Sequence, residues 1–363
     1  MLVRDFPNKR IKGLLERIKN GLGWRYQQFV EPTIDLYGDI PSFVKYQYQL
    51  KTKVLKHKAV YIYANRRNIG DYISHLGVRE ITGIQGGELY CSKGGHKDLL
   101  AYLERCREKG VVALIGGGGL FQPAFELFWN SLLASKVEFA LIGVGVNQMT
   151  GRPLLPRELL SKVVQRAESI HVRDNFTLEY LQTLNEAEIT LGVCPSVNFI
   201  NRSTHGQKGG STNTLLHVVH PSDLRMSGVS VERLRENLRQ FCKEEGFCYR
   251  ESDNMGTNVT KAIKDIRSAA LVVSSRLHGC IMSYASNTPF VPLYCDKKTE
   301  YFVDSHTDKK GYEAVQFQDM KFTRGVLKKE LTEISSYSNV QGVLQRKIKE
   351  NYDFGESLRA KFF

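Results

Sequence analysis

The chain has 363 residues, of which 42% are hydrophobic and 25% charged, and its formal net charge at pH 7 is +13. This length and composition exclude a disulfide-stabilised miniprotein and a disordered chain, and they predict about two globular domains. The longest nearly apolar run, 111–121, is shorter than the roughly 18 residues that span a bilayer, so we expect no transmembrane helix. Because charged residues interrupt the first 30 positions, we also expect no signal peptide and a cytoplasmic location.

The positive charge is concentrated at the two ends of the chain. Residues 1–58 contain 12 Lys and Arg against 5 Asp and Glu, residues 59–320 contain 30 against 28, and residues 321–363 contain 9 against 5. A nucleic-acid-binding protein more often carries its basic stripe on the folded body, so we expect no nucleic-acid partner. Apolar residues at helical spacing among basic ones predict a basic amphipathic helix within 8–22. This helix either packs on the protein or makes a weak peripheral contact with an anionic membrane, at its inner face.

Short apolar runs alternate with segments of helical periodicity from about residue 58 onward. This alternation predicts βα units and parallel sheets. The expected strands are 60–64, 88–91, 111–115, 137–144, 169–172, 189–193, 215–219, one near 248, 271–274 and 290–294. Helices are expected after the loop 65–71 and over 123–135, 156–167, 176–184, 231–245, 259–268 and 277–286.

These elements predict an α/β fold in which two Rossmann-like domains face a cleft. The expected organisation is a basic N-terminal arm (1–58), an N-terminal Rossmann-like domain (59–200), a linker (201–213), a C-terminal Rossmann-like domain (214–320) and C-terminal helices (321–363). The linker assignment rests on a stretch rich in Gly, Ser, Thr and Asn. The seven cysteines form no CxxC pair, so we expect reduced thiols and no metal site.

The first polar cluster follows the first expected strand. Ligands of open parallel sheets bind beyond the carboxyl ends of the strands, which makes residues at these positions the informative ones. Here they are Asn68, Gly70 and Asp71. Gly70 permits a tight turn, and Asp71 is expected to cap the next helix.

A run of four glycines follows the third expected strand. Gly117, Gly118 and Gly119 in this run are candidates for bringing backbone amides to an anion or a sugar at the start of a helix. A tight turn without a ligand is an equal alternative.

Arg173 stands at the end of the expected strand 169–172. A guanidinium at that position needs an anionic partner, and its planar fork suits carboxylate or phosphate. We expect Asp174 to cap the next helix and His171 to be packed in the core.

The most specific cluster runs from Ser275 to His278, where a strand leads into a helix. We expect Arg276 and His278 to point into the cleft and Leu277 to turn towards the core. A cation and an imidazole at a helix N-terminus would form an anion site with its own proton donor.

In this order and spacing, the motifs resemble those of the polysaccharide pyruvyl transferase family over roughly residues 60–305. The resemblance is carried by Asn68-x-Gly-Asp71, the run 116–122, Arg173-Asp174, the run 275–279 and Asp296-x-Lys298. It implies a glycosyltransferase-B-like pair of domains and transfer of the enolpyruvyl unit of phosphoenolpyruvate onto two sugar hydroxyls as a ketal. We place no family counterpart in 1–58.

The resemblance also implies roles for the site residues, with the main donor site in the second domain. Arg173 and Arg276 would clamp phosphoenolpyruvate across the cleft, and His278 would be the general acid, with His171, His217 and His220 as the alternatives. The substrate-binding set would be Asn68, Gly70, Asp71, Gly117, Gly118, Gly119, Ser275, Leu277 and Lys298. No metal or cofactor is expected besides the donor substrate.

The implied acceptor is a sugar of a cell-surface polysaccharide or exopolysaccharide, or of its lipid-linked oligosaccharide precursor. Two alternatives remain at this stage: a nucleotide-sugar-dependent glycosyltransferase of the same architecture, and a catalytically silent scaffold at the membrane. The presence of Arg276 and His278 argues against the scaffold. The sequence contains no evident acidic residue that would bind a ribose, and this argues against the glycosyltransferase.

Overall fold

The computed structural model describes residues 57–64, 68–90, 96–147, 154–184, 186–204, 212–256, 258–307, 309–333 and 340–363. The basic helix expected within 8–22 lies outside these residues. Of the helices that the structure describes, none is long and apolar enough to cross a membrane.

The first domain is a parallel six-stranded sheet covered by helices on both faces. Its elements are β1 (Ala59–Tyr63), α1 (Ile69–Thr82), β2 (Gly86–Tyr90), α2 (His96–Glu108), β3 (Val112–Phe121), a 3₁₀ turn (Pro123–Phe125), α3 (Glu126–Ser135), β4 (Phe139–Val146), α4 (Arg157–Arg166), β5 (Ser169–Val172), α5 (Asn175–Gln182), β6 (Thr190–Leu191) and α6 (Ser196–Thr204). The strand order is β2-β1-β3-β4-β5-β6. Every residue of β1 and β4 is buried, as is typical of parallel strands whose two faces are both covered.

The second domain repeats this plan with five strands. Its elements are β7 (Thr212–Val218), α7 (Pro221–Met226), α8 (Val231–Glu245), β8 (Cys248–Ser252), α9 (Val259–Ser268), β9 (Ala269–Ser274), α10 (Leu277–Ala285), β10 (Phe290–Tyr294), α11 (Lys297–His306), β11 (Tyr312–Glu313), a 3₁₀ turn (Ala314–Gln318) and α12 (Met320–Thr332), followed by α13 (Val340–Phe362). The strand order is β11-β10-β9-β7-β8. Helix α8 has the predicted bounds because Ser230 caps its start and Gly246, with φ 75°, ends it.

The strand orders place a topological switch point in each sheet. In the first sheet the order reverses at β1 and β3, and in the second at β7 and β9. Ligands of open parallel sheets bind outside the carboxyl ends of the strands at such points. The predicted α/β fold with two Rossmann-like domains facing a cleft, glycosyltransferase-B-like, is confirmed.

The two domains share a continuous apolar cluster. Ile73 of α1 and Val197 of α6 pack in one buried group with Ile263 of α9 and Ile281 of α10. Helix α13 returns to the first domain, where the side-chain amide of Asn351 donates a hydrogen bond to Val193 O at 3.2 Å. The walls of the cleft are therefore joined by a common core.

The structure differs from the sequence-based bounds at both ends of the expected linker 201–213, because α6 continues to Thr204 and β7 begins at Thr212. The hydroxyls of Ser203 and Thr204 satisfy carbonyls of the preceding helical turn, so these small polar residues extend the helix instead of ending it. Four helices, α2, α6, α7 and α11, have no counterpart in the sequence-based expectation.

The expected strand 111–115 is also longer than predicted, because β3 runs through the glycines to Phe121. Pairing with β4 continues up to Phe121 opposite Val146, with a register shift after Gly118. Gly117 and Gly118 have φ values of 78° and 114°, which only glycine adopts readily. The glycine run is thus an irregular strand end and not a loop before a helix.

Candidate functional site

A cleft of about 120 Å³ lies at the carboxyl ends of both sheets. The lining residues from the first domain are Asn68, Asp71, Gly119, Gln122, Asn147 and Arg173, and those from the second are His220, Asp223, Arg276, Leu277, His278 and Lys298. Polar and charged side chains therefore converge from both domains.

Arg173 is the first residue after β5 and is only 3% exposed. Its Nε atom lies 3.5 Å from Oδ2 of Asp174. Its two terminal nitrogens are buried and have no hydrogen-bond partner among the described residues. Buried guanidinium donors without a partner cost free energy, so this arrangement suits an anionic ligand in the cleft.

Glycine and a helix cap hold this arginine in position. A Cβ atom on Gly145 would overlap Nε of Arg173, so the glycine makes room for the guanidinium. Asp174 caps α5 by accepting a hydrogen bond from Thr177 N at 2.7 Å, as predicted.

Arg276 and Lys298 bring further positive charge from the second domain. Arg276 precedes α10, and its Nη2 atom is 3.5 Å from Oδ1 of Asn68 in the first domain. Burial lowers the pKa of Arg276 below its ordinary value. Lys298 Nζ pairs with Asp296 Oδ2 at 2.6 Å, and although burial opposes it, the carboxylates of Asp296 and Asp223 raise the pKa of Lys298.

Asp71 faces these cations instead of capping α1. The cap is Asn68, whose Oδ1 accepts a hydrogen bond from Gly70 N at 3.1 Å, so the predicted capping role of Asp71 is wrong. Asn and Asp cap equally well, and the residue directly before the first helical position takes the role. Burial raises the pKa of Asp71 to about 6, although Arg173, Lys298 and Arg276 act in the opposite direction.

His278 lies in the first turn of α10 and is 8% exposed. Its Nε2 atom is 3.0 Å from the hydroxyl of Ser74, which belongs to α1. Burial, together with the charges of Arg173, Arg276 and Lys298, lowers the pKa of His278 well below its ordinary value. The imidazole is therefore neutral near neutral pH, and an anion bound among the three cations would reverse part of that shift.

Of the four glycines predicted to bind substrate, only Gly119 is among the residues that line the described cleft. Gly70, Gly117 and Gly118 are not. A Cβ atom on Gly117 would lie 2.6 Å from Cβ of Ser74, and one on Gly118 would lie 2.9 Å from a carboxylate oxygen of Asp71. These glycines therefore allow α1 to approach β3.

Ser275 also lies outside the cleft lining. Its hydroxyl accepts a hydrogen bond from the backbone N–H of His220 at 3.1 Å, which ties two of the second domain's strand ends together. Leu277 is packed in the core, as predicted, but one side of it also reaches the cleft.

Three lining residues were missed by the sequence reasoning: Gln122, Asn147 and Asp223. The signal for two of them was available, because Gln122 and Asn147 each follow a strand that runs into the cleft. His220, which was expected only as an alternative proton donor, also lines the cleft. His220 Nδ1 accepts a hydrogen bond from Asp223 N at 3.1 Å and lies 3.2 Å from its carboxylate.

Two other candidate histidines are core residues. His171 Nδ1 accepts a hydrogen bond from Gly143 N at 3.0 Å, and burial lowers the pKa of His171 to about 4. His217 is buried, and its Nδ1 atom is 3.0 Å from the hydroxyl of Tyr249. Among the histidines that the structure describes, those that line the cleft are His220 and His278.

Asp223, Cys295 and Asp296 bring their ligand-type atoms within 4.8 Å of one another, a proximity that sequence spacing did not reveal. The Lys298 ammonium already lies against Asp296 and compensates its charge. We therefore assign no metal to this group.

The comparisons with known proteins agree with this geometry. The family model for polysaccharide pyruvyl transferases matches residues 26–297. No curated protein matches the chain. The match begins before residue 58, so our expectation that 1–58 has no family counterpart is wrong for its later part.

Solved structures share the fold at low sequence identity. S. aureus MnaA with UDP is 10% identical, has a TM-score of 0.56, and the alignment covers 78% of this chain and 92% of that one. The Neisseria meningitidis UDP-GlcNAc 2-epimerase bound to UDP-GlcNAc is 11% identical, with a TM-score of 0.53 and coverage of 83% and 99%. A Listeria monocytogenes putative UDP-N-acetylglucosamine 2-epimerase is 12% identical, with a TM-score of 0.52 and coverage of 80% and 94%. These likenesses show the fold, and the family match over most of the chain shows that it belongs to the polysaccharide pyruvyl transferase family.

Proposed function

We propose that this protein transfers the enolpyruvyl group of phosphoenolpyruvate to a sugar as a pyruvate ketal and releases phosphate. The observation that carries the proposal is the buried guanidinium of Arg173, whose terminal nitrogens have no partner among the described residues and which shares a cleft with Arg276 and Lys298. A ligand with both a carboxylate and a phosphate would satisfy these groups together.

The charges of donor and cleft are complementary. Phosphoenolpyruvate carries up to three negative charges, and the cleft offers one cation from the first domain and two from the second. Charged groups held by a rigid scaffold orient such a ligand for reaction. Arg173 and Arg276 therefore act as the clamp, with Lys298 beside them.

The chemistry requires one proton donor in the cleft. Protonation of the methylene carbon makes the central carbon electrophilic, and one sugar hydroxyl attacks it and loses its proton. The C–O bond to phosphate then breaks, and the second hydroxyl attacks the same carbon and loses its proton. One hydroxyl proton restores the acid and the other leaves with phosphate. His278 is the proposed acid and later base, because the bound anion offsets the cations that lower its pKa.

The proposed acceptor is a class of sugars, whereas the proposed donor is a single compound. The family match supports a polysaccharide acceptor, and we place it as a sugar of a cell-surface polysaccharide or exopolysaccharide, or of its lipid-linked precursor. Gln122 and Asn147 give the cleft a neutral amide pair, with 3.3 Å between Asn147 Nδ2 and Gln122 Oε1, and such groups suit sugar hydroxyls. A weak attachment through 1–58 would keep the cytoplasmic enzyme near a lipid-linked acceptor.

A second candidate is a nucleotide-sugar-dependent glycosyltransferase, because two solved structures that share the fold bind UDP or UDP-GlcNAc. The test compares melting temperatures with phosphoenolpyruvate and with UDP-GlcNAc. A ligand at about 100 times its Kd stabilises the folded state by about 2.7 kcal/mol, which raises the melting temperature by several degrees.

Phosphoenolpyruvate should give this shift with the native protein and with the surface control Arg166→Ala, but not with Arg173→Ala. A shift produced by UDP-GlcNAc and not by phosphoenolpyruvate would replace the proposal with the glycosyltransferase.

A further inference from the structure

We infer that Ser74 is a positioning residue that fixes the tautomer of His278, so that Nδ1 carries the proton and Nε2 accepts a hydrogen bond. Ser74 itself is not among the residues that line the cleft. The consequence of the tautomer for turnover rests on the proposed function, whereas the tautomer itself does not.

A chain of buried polar groups leads from the first domain to His278. The hydroxyl of Ser74 lies 3.0 Å from Nε2 of His278 and 3.2 Å from Sγ of Cys194. The hydroxyl of Ser196 donates to the same sulfur at 3.2 Å. Ser74, Cys194 and Ser196 are completely buried, so water does not compete for these bonds.

The direction of the chain follows from the number of protons. Each hydroxyl or thiol has a single proton to donate. Because Ser196 donates to Cys194, the thiol proton can go to Ser74, and the Ser74 proton can go to His278 Nε2. In the opposite direction the sulfur accepts from both serines, and its own proton has no acceptor among the partners of Cys194 in the described chain.

A neutral imidazole has one proton, so an accepting Nε2 leaves that proton on Nδ1. No described residue forms a hydrogen bond with Nδ1, which lies against Gly70, and His278 is one of the residues that line the cleft. A protonated Nδ1 can donate a hydrogen bond to an anionic donor substrate bound beside the ring, whereas in the other tautomer its lone pair would repel that anion.

Glycine packing explains why this contact can form between domains. A Cβ atom on Gly70 would overlap the ring of His278, and one on Gly117 would come 2.6 Å from Cβ of Ser74. Both glycines lie in the first domain, and His278 contacts Gly70 and Ser74 of α1 from the first turn of α10 in the second domain.

The test is a long-range ¹H–¹⁵N spectrum of the full chain labelled with ¹⁵N-histidine, recorded without ligand. His278→Gln identifies the His278 signals by their loss. We expect the native protein to show a protonated Nδ1 and an unprotonated, hydrogen-bonded Nε2. Ser74→Ala should shift the signals towards the Nε2–H tautomer, and Cys194→Ala should do so in part. A native protein in the Nε2–H form would overturn the inference.

The matched control is Ser283→Ala, since Ser283 is also buried, lies on the same helix as His278 and donates to Gly279 O. It should leave the His278 signals unchanged. Unchanged signals in a folded Ser74→Ala variant would also refute the positioning role. If Ser74→Ala does not fold, the native spectrum and Cys194→Ala still decide the matter.

If the proposed function is wrong, the spectrum of the native protein with phosphoenolpyruvate gives a different result. A native Nδ1–H tautomer whose signals do not respond to added phosphoenolpyruvate would sink the donor assignment and leave the tautomer inference standing. If the donor assignment holds, Ser74→Ala should lower kcat/KM by about three- to tenfold, which is the worth of one hydrogen bond.

Discussion

The imidazole of His278 rests on Gly70, so closely that a Cβ atom on the glycine would overlap the ring. Gly70 lies in the first turn of α1 and His278 in the first turn of α10, so the contact joins the two domains at the cleft. The absence of a side chain at residue 70 is what admits the proposed acid. Gly70 was expected to bind substrate, and the structure instead shows it supporting a residue that lines the cleft.

We expect Gly70→Ala to lower turnover by roughly 10²-fold, because displacing the positioned acid forfeits the usual worth of such a group. The measurement is kcat with the donor at saturation. The control is Gly325→Ala, which lies in α12 with open space around it. That change should leave turnover unaltered and stabilise the helix by up to about 1 kcal/mol. Full activity in Gly70→Ala would refute the packing argument.

Arg276→Lys should weaken donor binding while leaving the fold intact. Lysine keeps the positive charge but lacks the planar two-pronged donor. Losing one charge-assisted hydrogen bond costs about 1.5–3 kcal/mol, or roughly a ten- to 150-fold rise in Kd for phosphoenolpyruvate. Titration calorimetry measures this, with the exposed Arg233→Lys as the control. Unchanged affinity in Arg276→Lys would remove Arg276 from the anion site.

Asp71 should make the stability of the protein depend on pH. Burial raises its pKa from 3.8 to about 6, so its ionisation costs more in the folded than in the unfolded state. The stability that this group contributes is present below about pH 4 and is lost as the pH rises through 6. Asp71→Asn does not ionise and escapes that loss.

Thermal unfolding of Asp71→Asn and of the native protein between about pH 4 and 7.5 tests this. The melting temperature of the variant relative to the native protein should increase with pH across this range. A difference that stays constant or falls with rising pH would show that Asp71 does not have a raised pKa.

Much of the fold and part of the site follow from local sequence. Buried parallel strands are continuous apolar runs, and residues after them must lie at the carboxyl edge, which is how Arg173, Arg276, His278 and Lys298 are predictable. All four line the cleft.

The remaining features depend on contacts between distant segments. Nothing local distinguishes glycines that bind a ligand from Gly117 and Gly118, which make room for a helix packed against their strand. Ser74 is likewise one polar residue on a helix face until α10 brings His278 against it. Which of Asn68 and Asp71 caps α1 depends on where the helix begins, to within a single residue.

Weak membrane association should depend on 1–58 and not on the C-terminal helices. Basic residues of the C-terminal helices already form ion pairs, such as Lys328 with Glu245 at 2.8 Å and Lys349 with Asp353 at 2.6 Å. We expect the protein to sediment with anionic but not with neutral vesicles at low salt. Each basic residue near the surface contributes about 1 kcal/mol, so five substitutions should lower binding by more than about 100-fold.

The variant replaces Lys9, Arg10, Lys12, Arg17 and Lys19 with Gln. The control replaces Lys328 and Lys349 with Gln and should sediment like the native protein. Equal sedimentation with both vesicle types, or none with either, would exclude electrostatic attachment.

The most direct measurement of the central claim is transfer of ¹³C-labelled phosphoenolpyruvate to the polysaccharide or lipid-linked oligosaccharide fraction of the producing cell. We expect one labelled ketal carbon bearing a methyl group for each phosphate released, as detected by ¹³C NMR. His278→Gln should bind the donor with modest loss but turn it over roughly 10²- to 10⁴-fold more slowly. Label that stays in phosphoenolpyruvate while UDP-GlcNAc is consumed, or a His278→Gln variant with native turnover and collapsed donor affinity, would contradict the account.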